Sequence, residues 1–300
     1  MIRIAWNAQY AHPLPDGHRF PMEKYECVPE QLVHEGTVDE SQFFSPARLS
    51  ELDVLTVHEA EYWQKLKTGS LTRQEERRTG FPWSTALVER EVMIMGGTVQ
   101  CARFALEQGI AMNIAGGTHH AYRDRGEGFC LLNDFALAAS VLLAEGRISR
   151  ALVVDLDVHQ GNGTAKIFEN DPRVFTFSMH GAGNYPMHKE RSDLDVPLPD
   201  GIEDDAYLAL LDAHWPRLLD AVEPDLVLFQ CGVDILASDK LGRLGVTEAG
   251  CRARDERVLK RCHDAGVPVV CAMGGGYSPD IWQIVEAHCN TFRIASDLWG

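Results

Sequence analysis

Ala151-Leu152-Val153-Val154-Asp155-Leu156-Asp157-Val158-His159-Gln160-Gly161-Asn162-Gly163 begins as an apolar run and ends as a row of carboxylates, an imidazole and glycines. A short continuous apolar run fits a strand covered on both faces, as in a parallel sheet flanked by helices. Beyond it, strand periodicity sends Asp155, Asp157 and His159 one way and Leu156 and Val158 the other. Two carboxylates held that close resist joint ionisation, and a divalent cation is the natural remedy.

Working outward, similar runs occupy residues 2–6, 111–114, 174–178, 226–230 and 267–272, with 151–156 the sixth. Helical patterns lie between them at 87–108, 131–145, 204–222, 247–265 and 279–294. Thr247 and Ser278 stand as N-cap candidates, the latter followed by a proline suited to a first helical turn. Strands alternating with helices predict one α/β domain over residues 1–300, with a mainly parallel sheet and helices on both faces. The polar stretch 68–79 reads as an exposed loop.

Ligands of such sheets bind beyond the carboxyl ends of the strands. Four ends are polar: Ala115-Gly116-Gly117-Thr118-His119-His120, the row after Val154, Cys231-Gly232-Val233-Asp234, and Met273-Gly274-Gly275-Gly276-Tyr277. Asp157, His159 and Asp234 would supply three ligands and leave positions for water and substrate, as a catalytic zinc requires. The same oxygen-rich set suits Fe(II), Co(II) or Mn(II). Either of His119 and His120 is able to move protons near neutral pH. The glycine run reads as a flexible tether that lets Tyr277 donate to an oxyanion, or as a tight turn whose tyrosine only packs.

The chain has 300 residues, 45% of them hydrophobic, which is ample for a large core. Its longest apolar stretches fall well short of the roughly 18–20 residues a membrane span needs. No charged start, apolar stretch and cleavage site of a signal peptide is legible, so a cytoplasmic location is expected. Eight cysteines without a C-x-x-C pair are expected to be reduced and structural. A net charge of −16 disfavours nucleic acid and anionic membranes, and makes a lysine-rich protein or a polyamine an easier partner.

Taken in chain order, these segments resemble the histone deacetylase family, which shares the arginase-like α/β fold. The likeness begins at Gly17-His18-Arg19-Phe20-Pro21-Met22-Glu23-Lys24-Tyr25 and continues through Gly126-Glu127-Gly128-Phe129-Cys130-Leu131-Leu132-Asn133-Asp134 to Gly274–Tyr277. Arg19-Phe20-Pro21-Met22, Asp157–Gly163 and Asp234-Ile235-Leu236 look closest to class IV and its bacterial relatives.

The resemblance implies zinc on Asp157, His159 and Asp234, and a structural K⁺ on Asp155, Ser178 and main-chain carbonyls that include Met179. It implies His120 as general base, His119 on Asp155 as electrostatic support, Tyr277 as oxyanion donor, and a tunnel walled by Gly128, Phe129 and Tyr185 with Leu241 at its rim. Removal of acetyl or longer acyl groups from protein lysines is the implied activity, with small N-acyl amines such as acetylpolyamines as the alternative. For the latter, Glu23, Glu26 and Asp239 are candidate acidic gatekeepers. Asn162 replaces the Asp that orients the base in class I, which predicts a less basic His120. Gly80-Phe81 stands where class I carries an aspartate that grips the substrate backbone.

Overall fold

The computed structural model describes residues 2–300. Each expected apolar run forms a strand: β1 (Arg3–Ala5), β3 (Ile110–Asn113), β4 (Ala151–Asp155), β5 (Val174–Gly181), β7 (Leu226–Gln230) and β8 (Val269–Ala272). Two further strands escape a reading by apolar runs. β2 (Phe43–Phe44) is too short to show a pattern, and β6 (Leu194–Leu198) carries Asp195 and Pro197, as an edge strand tolerates. All pair in parallel in the order β2-β1-β3-β8-β7-β4-β5-β6. Thus β3, β8, β7 and β4, the four strands with polar ends, are adjacent at the centre.

Among the described residues ten α-helices surround the sheet: α1 (Lys24–His34), α2 (Glu51–Val54), α3 (Ala60–Thr68), α4 (Arg73–Thr79), α5 (Thr85–Gln108), α6 (Asp134–Ala144), α7 (Asn162–Phe168), α8 (Asp204–Val222), α9 (Glu248–Ala265) and α10 (Ile281–Trp299). Helices α5, α6 and α7 pack in one chain of contacts, and α1, α10, α9 and α8 in another. Strands β3, β4, β7 and β8 are buried along their whole length, which requires cover on both faces. Among the described residues no helix is long and apolar enough to cross a membrane. Seven of the eight cysteines are buried, and all eight are unbridged.

Two local expectations are corrected. Of residues 68–79 only 69–72 are a loop: Thr72 accepts from Glu75 N while Glu75 accepts from Thr72 N, a reciprocal cap that starts α4. Its polarity reflects exposure rather than irregular backbone. Thr247 caps α9 as expected, but α10 is capped by Asp280, which accepts from Trp282 N, while Ser278 bonds Ser238. Pro279 therefore precedes the helix instead of opening it.

Candidate active site

The ends of the four central strands converge. β4 stops at Asp155, so Asp157 and His159 sit on the bend beyond it, and the expected single row divides. Asp155 turns to His119, whereas Asp157 and His159 meet Asp234 from the neighbouring β7 end. The last three are buried, with ligand atoms all within 4.8 Å of one another.

Backbone donors aim the two carboxylates. Asp157 Oδ2 accepts from Gly275 N at 3.0 Å, and Asp234 Oδ1 from Val158 N at 2.9 Å. Their other oxygens, Asp157 Oδ1 and Asp234 Oδ2, each stand 3.1 Å from His159 Nδ1. Burial would favour a neutral imidazole, but the carboxylates outweigh it and raise His159 to about 10. Burial likewise raises Asp234, whereas at Asp157 the facing His119 and His159 overcome burial and hold the carboxyl well below its usual range. The focus of this trio demands positive charge. Two oxygens and one nitrogen fit Zn²⁺ or Fe²⁺ with coordination positions to spare.

The histidine pair follows β3 on a loop held from outside: Gly117 N and Thr118 N donate to the Asp134 carboxylate, and Gln230 Nε2 donates to Gly117 O. His119 Nδ1 lies 2.8 Å from Asp155 Oδ2. Burial opposes its charge, yet Asp155 and Asp157 raise it to about 9. His120 is set the other way. Burial first, then the His119 and His159 cations, push it well below its ordinary value. Its Nδ1 donates to Asn162 Oδ1 at 2.6 Å, while Asn162 Nδ2 donates to the Tyr122 hydroxyl at 3.0 Å. A neutral imidazole so bonded keeps the Nε2 lone pair free, as a base requires.

The glycine run is not a flexible tether. Buried Lys24 donates to Gly274 O at 2.8 Å, Gly275 N holds Asp157, and Tyr277 N donates to Asp239 Oδ2 at 2.6 Å. Glycine is required at 275, because a Cβ there would lie 2.0 Å from Asp234 Oδ2. The Tyr277 ring packs 5.9 Å from Phe129 and 6.5 Å from His159. Burial, then the Asp234 and Asp157 charges, raise its phenol well above the ordinary value, so it remains a donor.

Asp239 is not a gatekeeper either. It is spent on the main chain, accepting from Leu241 N, Gly242 N and Tyr277 N, and so joins the rim turn to the tyrosine loop. Glu23 and Glu26 line a separate surface hollow with Pro13 and Pro15.

Arg254 of α9 was not singled out by sequence. Fully buried beside Asp255, it donates to Leu156 O at 3.1 Å, Gly232 O at 2.6 Å and Cys231 O at 3.2 Å, clamping the β4 and β7 loops that carry the trio. In sequence it is one of several charges on a charge-rich helix, and no local signal marks it. Arg254→Lys keeps the charge but loses the fork, and is expected to cost about 2 kcal/mol of stability, read from the urea midpoint. An unchanged midpoint would refute the clamp.

Gly128, Phe129, Tyr185 and Leu241 line an outer cleft of about 280 Å³ that leads to His120, His159 and Tyr277. Beneath it lies an inner cavity of about 40 Å³ bounded by Tyr25, Ile94, Gly116, Gly117 and Cys130 among others. Phe129 has φ 67°, a conformation costing about 1–3 kcal/mol for a non-glycine residue. Bonds from Gly128 N to Arg78 O (3.0 Å) and from Phe129 N to Thr79 O (2.7 Å) hold it there. At Gly128 a Cβ would lie 2.7 Å from the His120 ring. On β5, beside β4, Ser178 is the register partner of Asp155, followed by buried Met179, and Ser178 Oγ lies 2.9 Å from His180 Nδ1.

The arrangement matches known proteins along nearly the whole chain. The model of the histone deacetylase domain matches residues 18–292. An uncharacterised protein of Picosynechococcus sp. is 44% identical over 99% of both chains. Histone deacetylase 2 of Arabidopsis thaliana is 34% identical over 89% of this chain and 72% of its own length. Among solved structures, a histone deacetylase homologue complexed with SAHA superposes with a TM-score of 0.85 at 23% identity, covering 99% of this chain and 84% of that one. The chain belongs to the histone deacetylase family and has its fold.

Proposed function

We propose that this protein is a zinc-dependent amidohydrolase that removes short acyl groups from lysine side chains. The observation that carries the reading is that Asp157, His159, His120 and Tyr277 line one cavity, with Asp234 completing the carboxylate-histidine trio beside them. A zinc ion on Asp157, His159 and Asp234 would polarise the amide carbonyl and acidify a water.

His120 Nε2 takes the proton of that water and returns it to the departing amine. Asn162 keeps the proton on Nδ1, so that the accepting nitrogen faces the cavity. His119, protonated against Asp155, lends a fixed positive charge. Tyr277 donates to the carbonyl oxygen as negative charge gathers on it. Gly128, Phe129 and Tyr185 flank the methylene arm, with Leu241 at the rim. Asp155, Ser178 and the Met179 carbonyl are the ligands we assign to K⁺.

Hydrolysis of fluorogenic acyl-lysines by zinc-loaded protein, blocked by a hydroxamate, tests the reading. The inner cavity favours acetyl: octanoyl and myristoyl lysines need its walls to part. Their kcat/KM is expected to fall about tenfold or more below that of acetyl-lysine. Faster turnover of myristoyl-lysine would sink the acetyl preference. Absence of turnover on every acyl-lysine, with zinc bound, would sink the lysine assignment.

A further inference from the structure

We propose that the mouth of the cleft selects substrates bearing a carboxylate beside the acylated amine arm, and that Arg19, Arg77 and Arg78 recognise it. The proposal rests on the deacylase reading and names its substrate class. All three arginines are exposed and line the outer cleft, and among the described residues no carboxylate lines it with them. In a chain of net charge −16 this is a local reversal of sign at the point of entry.

The cations are largely uncompensated. Arg78 has one partner, Glu127, at 4.0 Å, and Glu127 already accepts from Arg125 Nε and the Tyr185 hydroxyl at 2.8 Å each. Arg77 Nε bonds only the Arg73 carbonyl, and the Arg19 guanidinium lies 5.2 Å from the centre of the Phe129 ring. Among the described residues neither forms an ion pair.

Their backbones are fixed to the tunnel wall. The Arg78 and Thr79 carbonyls hold Gly128 and Phe129, and His18 Nε2, next to Arg19, bonds Gly80 O at 2.9 Å. Guanidinium forks so placed match a carboxylate in geometry and charge, whereas the ammonium groups of a polyamine meet three like charges. The field at such a mouth also steers anions toward it.

The carboxylate has two sources: the α-carboxylate of a free N-acylated diamino acid, or an Asp or Glu flanking an acyl-lysine in a protein. Zinc-loaded protein would be given free Nε-acetyl-lysine and its carboxamide, which lacks only the carboxylate charge, then acetyl-lysine peptides flanked by Asp, Asn or Lys, then acetylspermidine. At low salt, kcat/KM is expected to be about tenfold higher for a carboxylate form than for its neutral partner, the scale that three rim ion pairs supply. The ratio should shrink toward one at about 0.5 M salt and in the triple variant Arg19→Gln, Arg77→Gln, Arg78→Gln. A preference within the free pair identifies a small-molecule source, and one within the peptides a protein source.

Equal turnover of charged and neutral partners, or faster turnover of the Lys-flanked peptide or acetylspermidine, would overturn the proposal. The carboxamide and Asn peptide, still hydrolysed, would then leave the deacylase reading standing. No hydrolysis of any acyl-lysine would remove that reading and this one together.

Discussion

Tyr277→Phe is expected to lower kcat on an acetyl-lysine substrate about 10²–10³-fold, the usual loss when one oxyanion donor is removed. KM and zinc content should stay close to wild type. The substitution deletes one oxygen and leaves the ring in its packing against Phe20 and Phe129. The loop is held through main-chain atoms, by Lys24 on Gly274 O, Asp157 on Gly275 N and Asp239 on Tyr277 N, and none of these bonds involves the hydroxyl. The phenol is well above its ordinary pKa, so it donates throughout the working range and its loss should not reshape the pH profile. A drop in kcat with KM unchanged marks an interaction made in the transition state alone. A rise in KM at constant kcat would instead mark Tyr277 as part of the tunnel wall and overturn its assignment as oxyanion donor.

The sheet was legible because its central strands are buried on both faces and leave unbroken apolar runs, and the site was legible because polar residues interrupt each run at the same end. Asp157, His159 and Asp234 group together on polar strand ends alone, and β4 and β7 are neighbours in the sheet. What stayed hidden depends on tertiary contact. Arg254 reaches three carbonyls on two loops, a role that no spacing on α9 encodes. Asp239 looked available as a gate, but three backbone donors consume it.

The capping box at Thr72 and Glu75 is a readable signal, but α4 is polar on most sides and shows no apolar stripe to go with it. Nor does the sequence by itself mark Arg77 and Arg78, whose position at the cleft follows from where α4 ends. The glycine run is ambiguous in sequence for a related reason. Glycine permits mobility in isolation, but here it permits contact, and the three bonds that result hold the loop in place.

Asp234→Asn is expected to abolish stoichiometric metal binding, and activity with it. The variant preserves shape, because an amide oxygen still accepts from Val158 N, but it removes one of the two negative charges that hold a cation against His159. The same electrostatics set a pH dependence for the wild type. In the metal-free protein His159 is raised to about 10, so through the neutral range a proton occupies Nδ1 and a metal must displace it. Affinity should therefore rise with pH, by about tenfold per unit or more below that value, with at least the His159 proton released per ion bound and a further share from Asp234, which burial also raises. Metal analysis after dialysis, calorimetry in buffers of different ionisation enthalpy, and the rise in melting temperature with added zinc test this without reference to turnover. Wild type should show all three responses and Asp234→Asn none. Full zinc occupancy in the variant, or a wild-type affinity flat between about pH 6 and 8, where release of at least one proton per ion calls for a rise of about a hundredfold or more, would mean that the trio does not hold the metal.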